Sequence, residues 1–123
     1  MKILVDTNFL LLPAQFKIDI FKELRKHGSL VTVDACIREL ERISKGRSRS
    51  AMHAKLALAL IKKRKIKSIK SWKTRESADT ALSNHAKKYN CAVATNDRKL
   101  IKNLKNNGIT VIRLRQKRYL IIE

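Results

Sequence analysis

A chain of 123 residues is long enough for one domain with a real core. Its 44% apolar content argues for a folded chain, and its 5% aromatic content for an aliphatic core. Lys and Arg number 29 against 10 Asp and Glu, giving a net charge of +19 and a pI near 10.6. A small domain this basic is expected to attract polyanions, nucleic acid first and anionic membrane second. No long apolar span and no separate N-terminal leader is evident, so the reading is a cytoplasmic protein, one domain over residues 1–123, without a membrane partner.

In chain order, residues 2–5 (KILV) read as a short buried strand, followed by a turn around Pro13. The segment KIDIFKELRKHG sets Ile18, Phe21 and Leu24 at helical spacing and stops at Gly28. LVTV at 30–33 is β-branched and reads as a second strand. Asp34 opens the helix DACIRELERIS, with Cys36, Leu40 and Ile43 as its apolar stripe, and a basic loop, KGRSRS, follows. AMHAKLALALIKK (51–63) is an Ala/Leu-rich helix, IKSI (66–69) a short strand, and Ser77 the cap of the helix ADTALSNHAKKY. CAVAT (91–95) is a strand, DRKLIKNLKNN a helix ended by Gly108, and ITVIRL (109–114) the last strand. The strands are continuous apolar runs that alternate with helices. That is the pattern of an α/β fold whose parallel sheet is covered on both faces. Its ligands would lie beyond the carboxyl ends of the strands.

Cys36 and Cys91 lie far apart among apolar neighbours and read as buried free thiols. Neither they nor His27, His53 and His85 have metal-ligand spacing. The scarce acids carry more information. Asp6 and Asp97 each follow a strand at its carboxyl end, Asp79 lies in the first turn of its helix, and Glu39 lies one and a half turns into the helix after strand two. Each has an ordinary explanation. Asp6 could start a turn with Asn8, Asp97 could cap a helix, Asp79 could complement a helix dipole, and Glu39 could pair with Arg38 or Arg42. Periodicity does not separate Glu39 from Glu41. Together, however, converging carboxylates repel one another and call for a cation. Oxygen ligands suit Mg²⁺ or Mn²⁺. On a basic protein such a pit would let metals offset the repulsion of phosphate, activate water and stabilise a leaving oxygen.

VDTNFL, RELER, SADTAL and VATNDRKL, in this order and spacing, resemble a PIN-domain ribonuclease, and the resemblance runs from Lys2 through the last strand. The run DTNFLLLPAQFKIDIF and the ending RLRQKRYL are similar to the small-subunit rRNA-processing branch of archaea and eukaryotes. The resemblance implies a three-layer α/β/α fold with a mainly parallel five-stranded sheet, and metal-dependent endonuclease activity on single-stranded RNA. It implies that Asp6, Glu39, Asp79 and Asp97 are the catalytic, metal-binding acids, which decides Glu39 over Glu41. Asn8, Thr95 and Asn96 match polar positions flanking the family's site and would orient carboxylates or water. Eukaryotic members of this branch often carry two successive Asp residues where this chain has Asp79–Thr80, so its site has one acid fewer.

The expected RNA path is the basic loop with Lys45, Arg47 and Arg49, together with Arg98 and Lys99 beside Asp97. A second cluster, Lys62, Lys63, Arg64, Lys65 and Lys67, reads as a solvated face, and Trp72 as a core residue that could instead stack on a base. The sequence reading is thus a Mg²⁺- or Mn²⁺-dependent endoribonuclease acting in ribosomal RNA processing and leaving a 5′-phosphate. PIN relatives often dimerise, so a homodimer belongs to the expectation. One rival is a VapC-type toxin, with the same chemistry and a protein antitoxin. The other is a non-catalytic RNA-binding assembly factor. A receiver-like phospho-acceptor domain also places Asp residues at strand ends, but the charge and the acids at 39 and 79 argue against it.

Overall fold

The computed structural model of the chain describes residues 1–70 and 76–123. Trp72 therefore lies outside the described residues. In chain order the elements are β1 (Lys2–Val5), α1 (Thr7–Phe16), α2 (Ile20–Arg25), β2 (Ser29–Val33), α3 (Asp34–Ser44), α4 (Arg49–Lys63), β3 (Lys67–Ile69), α5 (Ala78–Tyr89), β4 (Ala92–Ala94), α6 (Arg98–Asn106), β5 (Val111–Arg115) and β6 (Tyr119–Ile122). The sheet order is β3-β2-β1-β4-β5-β6, with parallel pairing throughout except between β5 and β6.

The five parallel strands expected from the sequence are all present. Burial explains their patterns: β1, β2 and β4 are central and apolar almost throughout, whereas β3 at the edge is KSI and largely exposed. Among the described residues the core between sheet and helices is aliphatic, with Phe9 and Phe21 its only large aromatic members. Truncating a fully buried residue there, such as Leu4, would cost about 2–5 kcal/mol. Right-handed crossovers lay α1–α4 over one face and α5–α6 over the other, because the chain reverses its direction across the sheet after β3. Accordingly α4 packs on α1 and α3, and α5 on α6.

Two elements differ from the sequence reading. The segment read as a turn around Pro13 is the helix α1, with Pro13 inside it. Pro removes a backbone donor and normally costs a helix interior about 3 kcal/mol. Here Phe9, Leu10, Leu11 and Leu12 are all buried by that helix, and their burial offsets the loss. The second addition is β6, antiparallel to β5, so the sheet has six strands rather than five. Its turn is closed by Arg118 N donating to Arg115 O at 3.1 Å, over Gln116 and Lys117 at φ +54° and +56°. That left-handed pair is normally written Asn-Gly or Asp-Gly, and Gln-Lys carries no such signal. Gly28 does more than stop α2. A Cβ there would lie 2.2 Å from the carbonyl oxygen of Met1, which accepts from Ser29 N at 2.9 Å. A side chain would force apart the start of the β1–β2 pairing.

Candidate active site

Strand order reverses between β1 and β4, since the chain runs outward through β2 and β3 and then returns to β4 and β5 on the other side. Open α/β sheets bind ligands beyond the carboxyl ends of such a pair. Val5 is paired with Ala94, so the next residue on each strand, Asp6 and Thr95, leaves the sheet side by side. Asp6 N donates to Ala94 O at 3.0 Å and extends the ladder to the lip of the crevice.

Asp6 is only 3% exposed. Its Oδ2 accepts from Thr95 Oγ1 at 2.8 Å, and the Thr95 hydroxyl in turn accepts from Asp97 N at 3.1 Å. One fully buried threonine thus ties together the two strand-end aspartates. Asp97 caps α6, its Oδ1 accepting from Lys99 N and Leu100 N at 2.9 and 3.2 Å. The cap explanation for Asp97 is therefore correct, and it fixes one carboxylate oxygen while Oδ2 accepts no hydrogen bond among the described residues. Glu39 is half-buried on α3, and its Oε2 accepts from Thr7 Oγ1 at 3.0 Å. Glu41, two residues on, is exposed. Asp79 stands exposed in the first turn of α5, a helix capped by Ser77, whose Oγ accepts from Thr80 N at 3.3 Å.

The four acids share one electrostatic environment. Burial raises the Asp6 carboxyl to about 6; repulsion from Asp79 and Glu39 adds to this, and hydrogen bonds from the Thr95 hydroxyl and the Thr7 backbone oppose it. Burial also raises the Asp79 carboxyl, reinforced by Asp97 and Glu39. Four other acids, Asp19, Glu23, Asp34 and Glu123, make ion pairs. None of Asp6, Glu39, Asp79 and Asp97 does so among the described residues. Arg38, a candidate partner of Glu39, pairs with Asp34 at 3.2 Å instead. In a chain with 29 cationic side chains, these four acids repel one another without an ion-pair partner among the described residues, an arrangement that an added positive charge would relieve.

The donors are all carboxylate oxygens, which suits a hard divalent ion. Among the described residues no group of three His, Cys, Asp or Glu side chains forms a ready-made metal cage. The arrangement fits an ion that keeps much of its water and takes one or two carboxylates directly, as Mg²⁺ does.

The flanking polar residues divide. Thr95 contacts the acids directly. Asn96 does not: its Oδ1 accepts from Leu114 N at 2.8 Å and its Nδ2 donates to Leu114 O at 3.2 Å. It pins the loop carrying Asp97 to β5. Asn8 is exposed, and no hydrogen bond joins it to the acids among the described residues. Thr7, buried at 2%, holds Glu39 and is the supporting residue that the flanking polar positions leave out. Its signal was a hydroxyl beside Asp6 in an otherwise apolar run. Among the cationic residues, Lys45, Arg47, Arg49, Arg98 and Lys99 are all exposed. In the second basic cluster Arg64 is tied to Asp19 at 2.8 Å. Cys36 and Cys91 are buried and free, as expected, and burial pushes the Cys36 thiol up to about 11.

The model of the family described as "PIN like domain" matches residues 3–117. Ribonuclease VapC4 of Methanocaldococcus jannaschii is 37% identical over 96% of this chain and 93% of its own length. Ribonuclease VapC9 of Archaeoglobus fulgidus is 31% identical over 97% of this chain and 87% of its own. Among solved structures, the PIN domain endonuclease Utp24 superposes with a TM-score of 0.82 at 23% identity, covering 99% of this chain and 90% of that one. That last likeness is one of fold.

Proposed function

Because the chain belongs to the PIN-like domain family, we propose that it is a Mg²⁺- or Mn²⁺-dependent endoribonuclease acting on single-stranded RNA at the four-acid pit. The observation that carries this is the set Asp6, Glu39, Asp79 and Asp97, mutually repelling at the switch point of a strongly basic domain and lacking any ion pair among the described residues. Asp6 and Asp97 would hold the cation, with Glu39 and Asp79 completing the negative field around it. When bound, such an ion activates water and stabilises the leaving oxygen.

The chain's own residues prepare the site. Thr95 fixes the Asp6 carboxylate, and the α6 cap turns Asp97 so that one oxygen stays available. Thr7 restrains Glu39. The amino end of α4 carries Arg49 and adjoins the Lys45–Ser48 loop. That helix must reach the amino edge of the sheet to start parallel β3, and at about 22 Å it outreaches strands of about 13–17 Å. Its amino end and the loop therefore lie toward the carboxyl edge, on the side of the acids. This supports their role, with Arg98 and Lys99, in collecting RNA.

The cellular role has two readings. Sequence relatives that span nearly the whole chain carry the VapC name. They support a VapC-type toxin with a protein antitoxin, whereas ribosomal RNA processing is supported by the resemblance of DTNFLLLPAQFKIDIF and RLRQKRYL to that branch. Incubation with precursor ribosomal RNA and with unrelated structured RNAs, in Mn²⁺ or EDTA, tests both levels. Metal-dependent cleavage confined to the precursor supports processing. Cleavage confined to another RNA supports the toxin reading. Cleavage that persists in EDTA removes the cation from the account.

A further inference from the structure

Beside the pit, α5 and α6 line a groove of about 340 Å³. Small-ligand sites start at roughly this size. Thr80, Ser83, Asn84 and Lys87 line it from α5, at the i, i+3, i+4 and i+7 positions of one helical face, while Lys99 and Asn103 face them from α6. Asp79 closes the end nearest the acids and is the only carboxylate in the lining among the described residues. From Asp79 to Lys87 the groove follows α5 for about 12 Å.

Three features define what fits. Lys87 and Lys99 pair with no acid among the described residues, so the groove has two free cationic walls. The hydroxyls and amides between them both donate and accept, and Ser83 Oγ already bonds Asn103 Oδ1 across the groove at 3.3 Å. Among the described residues no aromatic side chain lines it, so those residues offer no platform for stacking bases. Cations plus two-way hydrogen-bonding groups, without aromatics, match a sugar–phosphate backbone rather than a base. A ribose 2′-hydroxyl, which both donates and accepts, is the group by which a protein tells RNA from DNA.

We infer that the α5–α6 groove is a subsite for the RNA backbone flanking the scissile position, with Lys87 and Lys99 on a phosphate and the Ser83–Asn103 pair on a ribose 2′-hydroxyl. The assignment rests on the ribonuclease reading for which phosphodiester is cut, but its binding chemistry can be measured separately. Asp79 keeps the phosphate toward the Lys87 end by repulsion, and the groove selects RNA without selecting sequence.

The test compares the wild type with Lys87→Gln and Asn103→Ala, both exposed positions. Binding of one single-stranded sequence, as RNA and as DNA, is measured in EDTA across a salt series, and cleavage of the RNA is followed in Mn²⁺. Lys87→Gln should flatten the dependence of log K on log salt by about 0.7. It should also raise KM several-fold at unchanged kcat. Asn103→Ala should weaken RNA binding several-fold while leaving DNA binding as it was. If the wild type cleaves and both variants match it in slope, KM and RNA preference, the groove assignment is overturned and the nuclease reading survives. If the variants lose binding as expected while no divalent ion elicits cleavage, the groove stands and the nuclease reading falls. A wild type that binds neither polymer overturns both.

Discussion

At the scale of single residues, Asp6 carries an unfavourable charge, which the proposed cation would relieve. Its carboxyl is raised to about 6 from an ordinary 3.8, chiefly by burial. An acid raised in the folded state binds more protons folded than unfolded between those values, so stability falls as pH climbs through that window. In metal-free protein the loss should be on the order of 3 kcal/mol, complete by about pH 7. Asp6→Asn should remove most of that dependence and raise the melting temperature at neutral pH. Equal pH profiles of chemical denaturation for the two proteins would contradict this. Thr95 bears the complementary role. Thr95→Val keeps its shape but strips Asp6 Oδ2 and Asp97 N of their partner, an expected cost of about 1–3 kcal/mol. These residue roles were only partly legible in the sequence. Strand-end position marked Asp6 and Asp97, and the cap read for Asp97 is present, one that leaves its other carboxylate oxygen open for the proposed site. Periodicity left Glu39 and Glu41 alike and the family resemblance chose Glu39; the structure adds the Thr7 hydroxyl on Glu39, a contact made across 32 positions of the chain.

At the scale of elements, short-range signals succeeded where they matched the local chemistry. The apolar runs gave the parallel strands, and Ser77 gave the start of α5. They failed where tertiary burial overruled local preference, as in α1 with its internal Pro13, or where a turn used unmarked residues, as at Gln116–Lys117. Left-handed backbone at a non-glycine residue costs about 1–2 kcal/mol. Gln116→Asn, which tolerates that conformation better, should therefore stabilise the β5–β6 hairpin by on the order of 0.5 kcal/mol, read as a small rise in denaturation midpoint. The Asn96 latch belongs to this scale too. Asn96→Ala frees Leu114 N and O from their side-chain partner and releases the loop bearing Asp97. Stability should fall by about 1–3 kcal/mol and cleavage should weaken, through displacement of Asp97 rather than loss of a reacting group.

For the whole molecule, the charge of +19 and the acidic pit make one device. On the proposed function, the basic surface would raise the local concentration of RNA, while the pit alone would repel the phosphate it must approach. A divalent cation would reconcile the two, so RNA affinity should fall steeply with salt, whereas cation affinity should fall as pH drops below about 6 and Asp6 takes up a proton. Composition made the first half of this legible. The strand-end positions of Asp6 and Asp97 and the family resemblance pointed to the second half, and the sheet order adds what local pattern does not carry, that β1 and β4 are neighbours. The most direct measurement of the central claim is the single-turnover rate of single-stranded RNA cleavage in Mn²⁺ by the wild type and Asp6→Asn, with folding of both verified by thermal denaturation. The account predicts a variant that is at least as stable as the wild type and slower by a factor of about 10³ or more, the scale of losing several kcal/mol of transition-state stabilisation. Cleavage by a folded Asp6→Asn at a rate close to that of the wild type would contradict it.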